Sequence, residues 1–94
     1  MYIDDFRWLP NIIEKIWIKH HVEQSEAEEV FFNKPQIRFV ESGYRSGEDV
    51  YLVAGQTDGG RYLVVFFIRK PGNVALILSA RDMDKKERKR YGRK

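Results

Sequence analysis

Residues 50–82, "VYLVAGQTDGGRYLVVFFIRKPGNVALILSARD", read as three β-strands joined by two tight reversals. In "TDGGR", Asp58, Gly59 and Gly60 accept the backbone angles that a hairpin turn demands. "KPGN", residues 70–73, is the second reversal. The spacing predicts strands over Val50–Gln56, Arg61–Arg69 and Val74–Ala80. The middle one, "RYLVVFFIR", has no polar face. A strand apolar on both sides belongs at the centre of a sheet, covered by helices on one side and by something else on the other. The fold therefore turns on what lies outside this stretch.

Upstream, Pro35 leads into a further strand, Gln36–Glu41, and Ser42–Gly47 is a polar turn region. Before that, Leu9, Ile12, Ile13, Ile16 and Trp17 recur at three- and four-residue spacing, the mark of one apolar helical face. Pro10 suits the first turn, where a missing amide costs nothing. His20 falls on the same stripe near the helix end. A second helix is expected from Ser25, whose hydroxyl caps the first turn while Glu28 reciprocates. Ala27, Val30 and Phe31 make its inner face, and Asn33–Pro35 end it. Downstream, Asp84 caps a terminal helix reaching Tyr91. The reading is α+β: two N-terminal helices, a curved, mostly antiparallel sheet of about four strands, and a C-terminal helix, in a single domain over 1–94.

Composition narrows the function. The chain has no cysteine, which excludes a disulfide scaffold and thiol chemistry. "MYIDDFRW" lacks the basic and apolar regions of a signal peptide, and the run Tyr62–Ile68 is too short to span a bilayer. A cytoplasmic protein with no membrane partner is expected. The net charge of +3 is uneven: residues 81–94 hold eight basic and three acidic side chains, leaving −2 for residues 1–80. A basic tail beside a mildly acidic body suits a polyanion or an acidic protein partner, and equally a solvated helix face.

No metal-ligand spacing, phosphate-binding glycine loop or nucleophile elbow occurs, so no metal and no cofactor are expected. What recurs is a basic residue at strand ends: Arg61, Arg69 and Arg81. As a set they suggest a phosphate-contacting surface, extended along a helix by Lys85, Arg88, Lys89 and Arg90. Antiparallel pairing, however, sets the start of one strand beside the end of its neighbour, so Arg69 and Arg81 need a turn or bulge to meet. RNA cleavage without a metal requires a group to take the 2′-hydroxyl proton, one to protonate the leaving oxygen, and cations at the phosphate. His20, Glu41, Glu48, Tyr91 and the arginines are residues of the required types. Tyr44, Tyr51 and Tyr62 are either base-stacking groups or half-buried packing.

The ordered set "FRW…KHHVEQSEAEEVF", "SGED", "GGRYLVVFFIR" and "LSARDMDKKERKRY" resembles the BrnT-type toxins of bacterial toxin–antitoxin pairs. The likeness runs from Phe6 to Tyr91. It implies a compact endoribonuclease, distantly RelE-like, that stops translation by cutting RNA; with no metal-ligand spacing in the sequence, a metal-independent reaction is expected. It also implies a partner: a ribbon-helix-helix antitoxin of BrnA type, through which alone the toxin would meet operator DNA. The family's positions fall on Lys19, His20, Glu48, Arg61, Arg69, Arg81, Glu87, Arg88 and Tyr91. Arg69 and Arg81 are the candidate phosphate clamps, His20 the acid or base, and Tyr91 a positioning or proton-donating group. Lys19, Arg61, Lys85 and Arg88 are the candidate RNA contacts, with Glu48 and Glu87 in support. The chain departs from the family pattern at Leu9 (aspartate), Ile16 (asparagine), His21 (glycine), and Val50 and Leu76 (arginine at each). Leu9 and Ile16 are expected to extend the buried helical stripe. The lost cations also leave room for a rival: a non-catalytic protein that binds nucleic acid or an acidic partner.

Overall fold

The structure, a computed structural model, describes residues 1–92. Arg93 and Lys94 of the basic tail lie outside the described residues. The elements run β1 (Asp5–Arg7), α1 (Pro10–His20), α2 (Gln24–Glu29), β2 (Gln36–Glu41), β3 (Val50–Gln56), β4 (Tyr62–Lys70), β5 (Val74–Asp82) and α3 (Lys85–Gly92). The strands form one open sheet in the order β1-β5-β4-β3-β2. β2 to β5 are successive antiparallel neighbours, whereas β1 joins β5 in parallel.

β4 is the central strand that its sequence demands. Leu63, Val65 and Phe67 point to one face, where they pack with Ile12 and Ile16 of α1, Ala27 of α2, and Val30 and Phe31 just beyond it. Val64 points to the other face, against Ala54 and Tyr91 of α3. Most of these side chains are fully buried, each contributing about 1.5–3 kcal/mol relative to an exposed position. The cover that the second face required is α3. Asp84 and Glu87 form the capping box that starts it: the Glu87 amide donates to Asp84 Oδ1 at 2.7 Å and the Asp84 amide to Glu87 Oε1 at 2.9 Å.

The reversals obey their residue types. In the 57–61 hairpin the Thr57 amide donates to the Arg61 carbonyl at 2.9 Å, and Gly60 takes φ +92°. Gly72 (φ +86°) and Asn73 (φ +60°) turn the chain between β4 and β5. Four expectations need correction. β1 is an additional strand, only three residues long and without an alternating apolar pattern to announce it. The second helix starts one residue earlier than expected, and its capping box joins Glu23 to Glu26, the Glu23 amide donating to Glu26 Oε1 at 3.0 Å. That helix ends at Glu29, so Val30 and Phe31 serve the core from the following turn. Leu9 is not buried: it is the α1 N-cap, 44% exposed, while Ile16 is fully buried as expected.

Candidate functional site

The basic groups sort by strand register and side-chain alternation. Arg81 pairs with Val64 and Arg69 with Ala75, so the two arginines sit five residues apart along β4. At ~3.4 Å per residue the separation is roughly 17 Å, and alternation sends them to opposite faces. A bulge does interrupt the β4–β5 register, between Phe66 and Phe67, but it does not bring them together. The expected pair of phosphate clamps is therefore not a pair. Arg69 bonds Asn73 Oδ1 in the neighbouring turn. Glu48 lies at that same far end, 3.8 Å from Lys70 Nζ.

Arg61 and Arg81 do share an end of the sheet, and they are used differently. Arg61 donates from Nε and Nη2 to both carboxylate oxygens of Asp82, at 2.8 and 3.1 Å. Its Nη1 reaches the His21 carbonyl at 2.7 Å and Glu26 at 3.3 Å, and Nη2 reaches the His20 carbonyl at 2.8 Å. These contacts use all five guanidinium N–H donors. They also satisfy carbonyls at the C-terminus of α1, the end that attracts a cation. The expected RNA contact at Arg61 has no donor to offer, so the residue reads as a fastener between α1, α2 and β5. Asp82 in turn is held below the usual carboxylate range, chiefly by these hydrogen bonds against some opposing burial, with a smaller contribution from the nearby His20.

Arg81 keeps spare donors. Nη1 and Nη2 form a two-pronged clamp on Glu87 at 2.7 and 2.9 Å, and Nη1 also donates to the Asp82 carbonyl at 3.0 Å. Among the described residues, Nε and one Nη2 hydrogen have no partner. The guanidinium lies 5.6 Å from the Phe66 ring centre, which further fixes its plane. Glu87 is held below its ordinary range, first by the Arg81 hydrogen bonds, so it stays ionised and has no proton to give at neutral pH.

Between α3 and the sheet lies a separate recess of about 570 Å³, lined by Lys34, Tyr62, Lys85, Arg88, Lys89 and Tyr91 but by neither member of the clamp. It contains four cations and no carboxylate. Arg88 stacks on Tyr62, 3.4 Å from the ring centre, and Tyr62 meets Tyr91 edge to face at 6.0 Å. The Tyr91 hydroxyl donates to the Lys34 carbonyl at 2.9 Å, and burial pushes its pKa up. As a proton donor it is thus already committed. A smaller recess of about 270 Å³ lies over Phe66 and Leu52, walled by Arg38, Arg90 and Glu87. Arg90 was expected on the basic helix, whereas Arg38 and Lys34 were not singled out in the sequence. Only the pairing Arg38↔Leu52 reveals that Arg38 faces α3.

The remaining candidates flank this end from the α1 side. His20 is half-buried, and Lys19 is exposed. His21 adopts φ +53° at the α1 C-cap, a left-handed position that favours glycine. This explains why glycine suits that place in the motif. Val50, Ile68 and Leu76 are register partners in one row across three strands, on the face that carries α3. The two places where arginine is frequent in the family pattern therefore flank Ile68 on either side, and here the three residues form a half-exposed apolar strip. Tyr51 is a packing residue, stacked 5.9 Å from Phe67. Among the described residues, no group of three or more histidine, cysteine or acidic side chains is placed to hold a metal ion, and no helix is long and apolar enough to cross a membrane.

Helices on both faces of an open, mostly antiparallel sheet, with a cationic recess between α3 and the sheet, define a small α+β protein. The chain belongs to the BrnT family, described as the ribonuclease toxin of type II toxin–antitoxin systems, whose family model matches residues 8–87. The fold is similar to the crystal structure of the Brucella abortus ribonuclease toxin BrnT, with a TM-score of 0.64 at 13% identity, covering 87% of this chain and 100% of that one. No curated protein matches the sequence.

Proposed function

We propose that this BrnT-family chain is a metal-independent endoribonuclease that inhibits translation by cutting RNA, and that its RNA crosses the end of the sheet where β5 gives way to α3. The observation that carries this reading is the pair of open N–H donors on Arg81 at the junction of β5 and α3, the helix that also carries Lys85 and Arg88 of the cationic recess. Glu87 and Phe66 hold the guanidinium still, so little order is lost when a phosphate arrives. In cleavage, the 2′-oxygen loses its proton and attacks phosphorus while the bond to the 5′-oxygen breaks and that oxygen gains a proton. Arg81 stabilises the charge that develops on the phosphoryl oxygens. His20, on the neighbouring α1 side of the same end, is the candidate for moving the proton. Lys85 and Arg88 hold the adjoining backbone, and Lys19 extends the contact.

Arg61, Glu87 and Tyr91 act by positioning: Arg61 fixes α1, Glu87 aims Arg81, and Tyr91 anchors α3. Arg69 and Glu48 form a second contact region, away from the reacting phosphate. A ribbon-helix-helix antitoxin of BrnA type would neutralise the protein by laying an acidic segment over Arg81 and Arg88, excluding RNA. The apolar Val50–Ile68–Leu76 row favours a second reading, a non-catalytic binder, because it removes cations from the sheet face.

The test is cleavage of a mixed RNA substrate by purified protein in excess chelator, with and without ribosomes. Cleavage by wild type that Arg81→Ala and His20→Ala abolish while Arg69→Ala retains it supports the site as drawn. Loss with Arg69→Ala as well would widen the site along the sheet. No cleavage by folded wild type would leave the binding protein.

A further inference from the structure

α1 carries two apolar stripes, and the core uses one. Ile12 and Ile16 are directed into the sheet, at 9% and 0% exposure. Leu9, Ile13 and Trp17 follow one another at four-residue spacing along a different line. Leu9 is 44% and Trp17 49% exposed. Between that line and the start of α2 lies an open cleft of about 500 Å³, with Ile13, Trp17 and Val22 as its apolar lining and Glu23 and Glu28 among its polar residues. Residues 23–29 hold four glutamates and no cation. Glu26 is engaged by Arg61, whereas Glu28 accepts a hydrogen bond from the neutral Trp8 indole and keeps its charge unbalanced there.

We infer that the α1–α2 cleft is a docking groove for an amphipathic helix of a partner protein, one with apolar residues at three- to four-residue spacing and lysine or arginine on its flanks. The length fits: Ile13 to Trp17 gives the cleft an α1 wall of four residues, roughly 6 Å, and the exposed Leu9 one turn before it extends the apolar line towards about two turns of a second helix. The chemistry fits as well. An indole and an isoleucine supply the kind of central anchor that carries most of an interface's affinity, and the carboxylates at the rim select a basic flank over an acidic one. The groove is on the opposite sheet face from α3, and its charge repels RNA. The inference therefore holds whether or not the protein cuts RNA.

The experiment titrates isotope-labelled protein with a synthetic 14-residue helical peptide carrying leucines at i, i+4 and i+7 and lysines beside them. A second peptide has glutamate in place of every lysine. Amide signals of residues 9–28 are expected to shift with the lysine peptide. The glutamate peptide should bind about fivefold or more weakly. Trp17→Ser, an exposed position whose fold is checked by thermal unfolding, should weaken the lysine peptide about tenfold or more and leave RNA binding unchanged. Equal binding of the two peptides overturns the inference. So do shifts centred on the sheet face or the β2 edge, undiminished binding by Trp17→Ser, or self-association of the protein that covers the cleft.

Discussion

Replacing Arg61 with alanine separates a fastener from an RNA contact. The substitution removes five hydrogen bonds and leaves Asp82, Glu26 and two α1 carbonyls without their partner. Hydrogen bonds to charged groups are worth about 1.5–3 kcal/mol when well buried. Here the Arg61 side chain is 28% and that of Asp82 59% exposed, so solvent reduces their ion pair to about 0.5–1 kcal/mol. The two carbonyl contacts add about 1 kcal/mol each. The loss should be about 2–3 kcal/mol, a fall in Tm of roughly 10–20 °C for a chain of this size. The pH dependence has a definite sign. Asp82 titrates below its ordinary value in the folded protein, so its contribution is present above about pH 4 and is lost as pH falls through the folded value. The gap between wild type and Arg61→Ala should therefore narrow at pH 3, without closing, because the carbonyl bonds remain. Thermal unfolding followed by circular dichroism at pH 7 and pH 3 measures both effects. An unchanged Tm accompanied by lost RNA affinity would refute the fastener role.

Two further substitutions probe other joints. Gly55→Ala would set a methyl group 2.8 Å from the Val30 carbonyl oxygen, where β3 passes the turn after α2. Overpacking of that kind should cost about 1–3 kcal/mol, read as a lower urea midpoint, and an unchanged midpoint would mean the approach is not tight. Tyr91→Phe deletes only the hydroxyl that donates to Lys34, so stability should drop by about 1 kcal/mol with RNA cleavage retained. Near-complete loss of cleavage at wild-type stability would instead make that hydroxyl a proton donor.

The sheet was legible because its residues leave few alternatives. The two glycine-containing reversals and the double-faced apolar strand place β3, β4 and β5 almost to the residue, and Asp84 marks the start of α3 as expected. β1 escaped because three residues with no alternation carry too little pattern, and its pairing with β5 is long-range. The α1 stripe misled for a different reason. Leu9, Ile12, Ile13, Ile16 and Trp17 fill an arc wider than one contact, and spacing alone does not say which edge of the arc meets the sheet.

For the site, the residue types determined the chemistry on offer: many cations, two histidines, no thiol and no metal-ligand spacing. The ordered motifs also determined the family. Only the tertiary structure decided which cations have hydrogens to spare. Arg61 and Arg81 look alike in the chain, each at a strand end beside glycine or serine and alanine, but one spends every donor on α1 and its neighbours while the other keeps two open. Whether two arginines meet depends on strand register and face, which change with a single residue of slip. That is why Arg69 and Arg81, both strand-end arginines in the sequence, lie towards opposite ends of one strand pair.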